Sequence, residues 1–398
     1  MSGVPGLRSE SVVVMAAGVA TPIGLDLDTF WSGLLAGHDG LSAIERFPVA
    51  DLRVGRGGEI KKLPPVAAGI RSRAVALLVS AATDLTSRVA LAAAPERIAI
   101  VLGTALGGVE ELQHVVEGDR SARRAFDALY DSPAHALAAW LGARGPVITV
   151  SSACASGATA LGIGADLLRD GHADLVVAGG YDILCRFVMR GFDALRSLTR
   201  ERVRPFDRRR TGLLLGEAAG LVVLARERDV PRAWLGRLLG HGSASDASHV
   251  AAPDPEGRGL EAAIRAALAA AELQATDVGF VSAHGTATPL NDRIESAVLR
   301  RVLGARAGDV PVNSIKGSLG HTMGAAAALE ATMCLLAARD GLIPPTVGYE
   351  EPDPACDLDQ VAGSCRAARP RFMLSTSLGF GGCNAALVLE GADGEVGR

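Results

Sequence analysis

The stretch Val147-Ile148-Thr149-Val150-Ser151-Ser152-Ala153-Cys154-Ala155-Ser156-Gly157-Ala158 decides how this chain is read. Its run of β-branched residues predicts a strand. The small residues from Ser151 to Ala155 predict a tight turn, and an Ala/Gly-rich helix then runs to about Leu168. The thiol of Cys154 therefore falls at a helix N-terminus, where unpaired N–H groups and the helix dipole favour thiolate over thiol. Ala153, Ala155, Ser156 and Gly157 leave room for a backbone or a substrate to approach. A buried structural cysteine at a strand end would look the same in this segment alone, so the rest of the chain must decide.

Working outward, strand and helix signals alternate. Apolar runs at 12–15, 97–102, 174–180, 221–224, 278–283, 310–314, 372–374 and 385–389 read as short buried strands. Helical spacing covers 29–35 with Asp28 as N-cap, 72–91, 119–145, 259–272, the segment from Asn291, and a buried Ala-rich helix over 324–340. Residues 37–65 are irregular and polar and read as a surface excursion. This alternation implies βαβ units and mostly parallel sheets covered on both faces. The charged composition around Pro231 places a boundary between halves 1–232 and 233–398. A strand runs into a glycine loop in each half, at Gly103 and at His284, which points to internal duplication. The loop Gly103-Thr104-Ala105-Leu106-Gly107-Gly108 lacks the Lys and hydroxyl that complete a phosphate-binding P-loop.

Composition narrows the function classes. The chain has 398 residues, 48% of them apolar, and a net charge of −4. That is enough to bury large cores, and the charge argues against nucleic acid as main partner. The six cysteines (Cys154, Cys185, Cys334, Cys356, Cys365 and Cys383) show no C-x-x-C pairing, so free thiols in a reducing compartment are expected rather than a disulfide framework or metal site. No secretory pattern opens residues 1–10 and no apolar run is long enough to span a bilayer, so a cytoplasmic location is expected.

Two histidines stand beside turn residues: His284 before Gly-Thr-Ala-Thr, and His321 within Gly-His-Thr-Met-Gly. Together with a thiol at a helix start they match a nucleophile plus donors aimed at a developing oxyanion. Lys316 lies five residues before His321. If buried, it needs a carboxylate, and Glu330, Asp292 and Glu295 are the candidates.

Four motifs occur in order: Ser-Ala-Cys-Ala-Ser-Gly, His-Gly-Thr-Ala-Thr-Pro, Asn-Ser-Ile-Lys-Gly-Ser-Leu-Gly-His-Thr-Met-Gly-Ala-Ala and Gly-Phe-Gly-Gly-Cys-Asn. As an ordered set over 12–389 they resemble the β-ketoacyl-[acyl-carrier-protein] synthases of type II fatty-acid and polyketide pathways, polyene pathways among them. The resemblance implies a thiolase fold, with two pseudo-symmetric α/β halves in a five-layer αβαβα sandwich, and a homodimer or a heterodimer with a related ketosynthase-like subunit. It implies Cys154 as acyl acceptor, and the N–H groups of Cys154 and Phe380 as oxyanion hole. His284 and His321 become donors to the malonyl thioester and its enolate, and Lys316 with Glu330 becomes a support for His321. Thr286 and Thr288 match contacts to the phosphopantetheine arm of an acyl carrier protein, Phe380 matches a gating aromatic, and Leu106 the neck of the acyl pocket. The enzyme itself needs no bound cofactor or metal on this reading. An acidic carrier calls for a basic docking face, for which Lys61, Lys62, Arg71, Arg73, Arg123, Arg124 and Arg196 are candidates.

The chain departs from the family pattern at Ala287, at Cys383 in the gate loop, in a short 198–204 loop, and in Gly212-Leu213-Leu214-Leu215, which lacks an aromatic. The last three bear on pocket shape and substrate. Two other classes remain. A non-enzymatic chain-length partner subunit would lack the nucleophilic cysteine. A degradative thiolase would use a second cysteine, for which Cys383 is the candidate.

Overall fold

The computed structural model describes residues 10–64, 72–231 and 233–392. Residues 1–9 and Arg71 lie outside the described residues. One mixed sheet of eleven strands organises the chain. In the first half these are β1 (Val12–Ala20), β2 (Ile98–Gly103), β3 (Val147–Val150), β4 (Leu175–Asp182) and β5 (Ala218–Arg226). In the second half they are β6 (Gly236–Ser245), β7 (Val278–Ser282), β8 (Pro311–Asn313), the short β9 (Asp359–Gln360), β10 (Phe372–Gly379) and β11 (Cys383–Gly391). Their spatial order is β9-β8-β7-β10-β11-β6-β1-β5-β4-β2-β3.

That order contains a duplication. With β9 set aside as an added edge, each half runs third, second, fourth, fifth, first from its outer edge to the join. The ladders match as well. The two inner ladders of each half are antiparallel, β1 with β5 and β5 with β4, β6 with β11 and β11 with β10. The two outer ladders are parallel. The expectation of mostly parallel sheets is therefore corrected, because the last two strands of each half run antiparallel to each other. The cause is plainest at β10 and β11, which a three-residue turn, Phe380–Gly382, joins as a hairpin. Only three residue pairs, from Val12 with Leu238 to Val14 with Gly236, join the halves through β1 and β6.

Helices form three layers around these strands. Helix α1 (Leu27–Leu35) flanks β1, and α2 (Arg73–Arg88) packs on β1 and β5. Three short helices, α3 (Val109–Val116), α4 (Ala122–Asp127) and α5 (Ser132–Leu141), follow β2. Helix α6 (Ser156–Arg169) follows the cysteine turn, and α7 (Arg186–Ala194) follows β4. In the second half come α8 (Arg258–Ala270), α9 (Pro289–Leu303), the short α10 (Lys316–Leu319) and α11 (Ala326–Asp340). One core, rich in α6 and α11 residues such as Leu161, Leu168, Leu329 and Leu336, lies between the halves. A second lies under α2 and α5, and a third under α8 and α9. The layering is α/β/α/β/α.

Several local expectations shift. Asp26, not Asp28, caps α1 by accepting the Thr29 N–H at 2.8 Å; Asp28 sits in the first turn and pairs with Arg88. The long helix expected over 119–145 is two helices, because Pro133 opens a new one at the start of α5. The excursion over 37–65 is anchored rather than superficial, with Leu41, Ile44, Val54 and Ile60 buried.

Close backbone approach depends on glycine. A Cβ on Gly18 of β1 would lie 2.2 Å from the Ala81 carbonyl oxygen and 2.5 Å from the Leu85 nitrogen of α2. Gly191 in α7 faces open space. Gly18→Ala should therefore destabilise by about 3 kcal/mol through overpacking, whereas Gly191→Ala should stabilise by about 1 kcal/mol through helix propensity. Chemical denaturation of the two variants checks this, and equal effects would contradict it.

Candidate active site

Cys154 lies in the turn between β3 and α6. The turn is strained at Ala153, whose φ is 50°, and Ser156 stitches it by accepting the Ser152 N–H at 2.9 Å and donating to the Ala153 carbonyl. The hairpin turn after β10 lies against it: a Cβ on Gly379 would sit 2.9 Å from the Ser152 carbonyl oxygen. This contact sets the N–H of Phe380 near the Cys154 sulfur, where it and the N–H of Cys154 itself favour negative charge. Cys154 is 5% exposed. Burial pushes the thiol up to about 12, nearby Lys316 pulls it down and Asp182 pushes it further up. The expectation of a thiolate stabilised by the helix start is thus corrected for the resting protein, because desolvation outweighs the donors.

His321 comes from the opposite half. Its Nε2 lies 2.9 Å from the Cys154 sulfur. Its Nδ1 accepts the N–H of Met323 at 3.4 Å, which places the ring proton on Nε2. The histidine therefore donates to the sulfur and is not a base toward it. His284 follows β7, and its ring stands edge-on to that of His321 at 5.1 Å. Glu295 holds the His284 loop by accepting the N–H groups of His284 (2.7 Å) and Gly285 (2.8 Å), and is itself held by the Thr376 hydroxyl at 2.7 Å. Burial lowers both histidines well below their ordinary value; Lys316 adds to this in both, and His321 adds to it in His284. Both rings are neutral at physiological pH.

Lys316 is 2% exposed and its Nζ lies 2.6 Å from Glu330 of α11, which is fully buried. Of the three carboxylates considered for it, the structure selects Glu330. Asp292 instead accepts the Phe206 N–H at 2.7 Å and lies 3.9 Å from Arg210, and burial raises its carboxyl to about 6.

Cys154, His284 and His321 open onto one cavity of about 410 Å³ with Thr286, Thr288 and Phe380 on its walls. The hydroxyls of Thr286 and Thr288 are 3.0 Å apart. Leu106 does not line this cavity; it sits in the loop after β2. Cys154 is the sole cysteine among the described lining residues. Cys383 lies outside the cavity at the first position of β11, paired in register with Gly379, so the thiolase reading finds no second thiol here. Sequence reasoning missed Phe192 of α7, whose ring packs 5.5 Å from Phe380, and His249 and Asn291 on the cavity wall.

The candidate docking residues separate. Arg73 turns inward and binds Glu217 and the Ile60 carbonyl, and Arg124 pairs with Glu111 and Asp119. The charge of Arg73 is neutralised within the fold, which removes it from a docking face, whereas Arg124 is paired at the surface. Lys61 pairs with Glu59 and Glu45, and Arg123 lies 3.9 Å from Asp127. Lys62 is exposed, and exposed Arg196 stands at the cavity mouth.

Comparison with known proteins agrees with this geometry. Residues 9–230 match the family described as beta-ketoacyl synthase, N-terminal domain, and residues 235–350 match its C-terminal domain. The chain is 38% identical to the tetracenomycin polyketide synthase ketoacyl synthase alpha subunit of Streptomyces glaucescens, covering 96% of this chain and 97% of that one. It is 33% identical to 3-oxoacyl-[acyl-carrier-protein] synthase 2 of Synechocystis sp., over 96% and 99%. Among solved structures, the ishigamide ketosynthase/chain length factor superposes with a TM-score of 0.90 at 32% identity, over 97% of this chain and all of that one.

Removing one partner of a buried ion pair costs about 3–5 kcal/mol, whereas replacing both by apolar residues is often neutral. Lys316→Ala should therefore lose stability of that order, and the double variant Lys316→Met/Glu330→Leu should recover it. Without the cation the histidines gain protons more readily, so the acid limb of the double variant's pH–rate profile should move up toward pH 6.5. Denaturant melts and a pH profile measure both effects; a double variant with a wild-type profile would contradict the assignment.

Proposed function

This chain belongs to the β-ketoacyl synthase family, and on that premise we propose how its residues divide the work of a decarboxylating condensing enzyme. In the first half-reaction the Cys154 sulfur attacks the thioester carbonyl of an acyl group presented on the phosphopantetheine arm of an acyl carrier protein. The new C–S bond forms as the bond to the pantetheine sulfur breaks, and the thiol proton leaves with that sulfur. This proton balance fits a buried thiol that meets histidine as a donor and not as a base. The N–H groups of Cys154 and Phe380 receive the carbonyl oxygen.

A malonyl group on a second carrier then enters the same cavity past Thr286 and Thr288. CO2 leaves, and the electron pair it releases forms an enolate whose oxygen accepts from the Nε2–H groups of His284 and His321. Neutral imidazoles suit this role, since they stabilise developing charge without giving up a proton. The enolate carbon attacks the acyl carbonyl, the Cys154 thiolate departs and is reprotonated, and the chain is longer by two carbons. The observation that carries this reading is the 2.9 Å approach of His321 to Cys154 with His284 beside it. It favours a condensing subunit over a non-catalytic chain-length subunit.

We assign two macromolecular partners. The carrier protein is supported by a similar structure of a ketosynthase with its acyl-carrier protein. A related ketosynthase-like subunit, identical or not, is supported by similar structures of ketosynthases with chain length factors. Strand β3 forms an edge of the sheet, and Leu112, Val116, Phe126 and Trp140 on the neighbouring helices are exposed. This apolar edge fits such a subunit.

Intact-protein mass spectrometry and CO2 release test the division of labour. Cys154→Ala should carry no acyl group. His284→Ala should still be acylated while malonyl decarboxylation falls about 100-fold or more. His321→Ala should impair both steps, since that ring also touches the sulfur. Equal loss of both half-reactions in His284→Ala, or acylation of another cysteine in Cys154→Ala, would contradict the scheme.

A further inference from the structure

The glycine loop after β2 resembles a phosphate cradle, and the structure shows what occupies it. Its donors converge on the carboxylate of Asp182, the last residue of β4. Oδ1 accepts the Thr104 hydroxyl at 2.7 Å and the Leu106 N–H at 3.1 Å, while Oδ2 accepts the Ala105 N–H at 2.8 Å. A fourth donor comes from the other half of the molecule: the Gly324 N–H reaches Oδ2 at 2.7 Å. Asp182 is 1% exposed, and it forms no ion pair with any described residue. The anion is held by neutral donors alone.

Gly324 lies in the turn that orients His321. Met323, at φ 50°, gives its N–H to His321 Nδ1, and the next N–H goes to Asp182. The seat is tight: a Cβ on Gly324 would lie 2.6 Å from the Thr104 Cα and 2.8 Å from Asp182 Oδ2. We propose that Asp182 is a positioning residue for the condensation, pinning the Met323-Gly324 turn to the loop behind the nucleophile so that His321 keeps its Nε2–H on the Cys154 sulfur. The proposal rests on the functional reading above. A buried carboxylate near the sulfur also has an electrostatic effect, because it opposes ionisation of the Cys154 thiol. Losing Asp182 should therefore move two observables in opposite directions, which simple loosening of the structure would not do.

The test uses Asp182→Asn, which keeps shape and removes charge, and Asp182→Ala, which also removes the anchor. Cys154 alkylation by iodoacetamide at pH 7.5 should become about tenfold faster in the Asn variant, equivalent to about one unit in thiol pKa, and less so in the Ala variant, where the sulfur also loses the His321 donor. With malonyl-pantetheine as probe, decarboxylation kcat should fall about 100-fold in the Ala variant, with KM unchanged, as expected for a misplaced donor. The Asn variant, whose amide oxygen can still accept from Gly324, should lose less kcat than the Ala variant. Alkylation that is unchanged or slower in the folded Asn variant, or an unchanged kcat in the Ala variant, would overturn the proposal. Should the Ala variant not fold, the Asn variant's alkylation rate and kcat decide alone. If wild-type protein releases no CO2 from the probe, the functional reading fails, and the alkylation arm still decides whether Asp182 acts on the sulfur.

Discussion

The ion pair between Lys316 and Glu330 is the constraint on which the site depends. A cation enclosed by protein raises the cost of any second positive charge nearby. His284 and His321 are its neighbours, and both are held neutral by burial and by that charge. Neutral rings can serve as N–H donors to an oxyanion, while protonated ones would tend to surrender a proton to it. The same cation moderates the penalty that burial imposes on the Cys154 thiolate. Burial dominates the protonation of all three groups, and this one charge pair also biases each of them, with the surrounding loops holding it in place. The Ser314 hydroxyl, for example, donates to the Gly285 carbonyl and accepts the Lys316 N–H.

The duplicated topology explains how these groups meet. Cys154 follows the third strand of the first half, and Lys316 and His321 follow the third strand of the second. Equivalent strand ends face each other across the layer of α6 and α11. Contact at that crossing is possible only where side chains are absent. A Cβ on Gly180 would lie 2.1 Å from the Gly324 carbonyl oxygen, and one on Gly157 would lie 2.6 Å from the same atom. These close approaches let His321 reach a sulfur in the opposite half, and they leave the N–H of Gly324 beside Asp182.

Much of this was legible in the chain. The β-branched run before Cys154 and the small residues after it foretold the strand, turn and helix that the structure contains. The Ala-rich segment over α11 announced a helix buried on all sides. What escaped the reading was long-range. Nothing local to Lys316 chooses between Glu330, Asp292 and Glu295, because all three stand on helices and only tertiary packing brings one to 2.6 Å. Arg73 looks like a surface charge at a helix start and is a half-buried partner of Glu217, far away in sequence. The state of Cys154 was misjudged for the same reason, since a helix start can be read from sequence but the depth of desolvation cannot.

His284 and His321 stand beside Cys154 as neutral donors. A pH titration of 15N-labelled protein by NMR, with His284→Gln and His321→Gln variants to assign the signals, measures their protonation directly. Both rings should titrate well below the ordinary histidine range, and His321 should show a protonated Nε2 and an unprotonated Nδ1 at neutral pH. A midpoint near pH 6.5 for either ring, or a protonated Nδ1 on His321, would contradict this assignment.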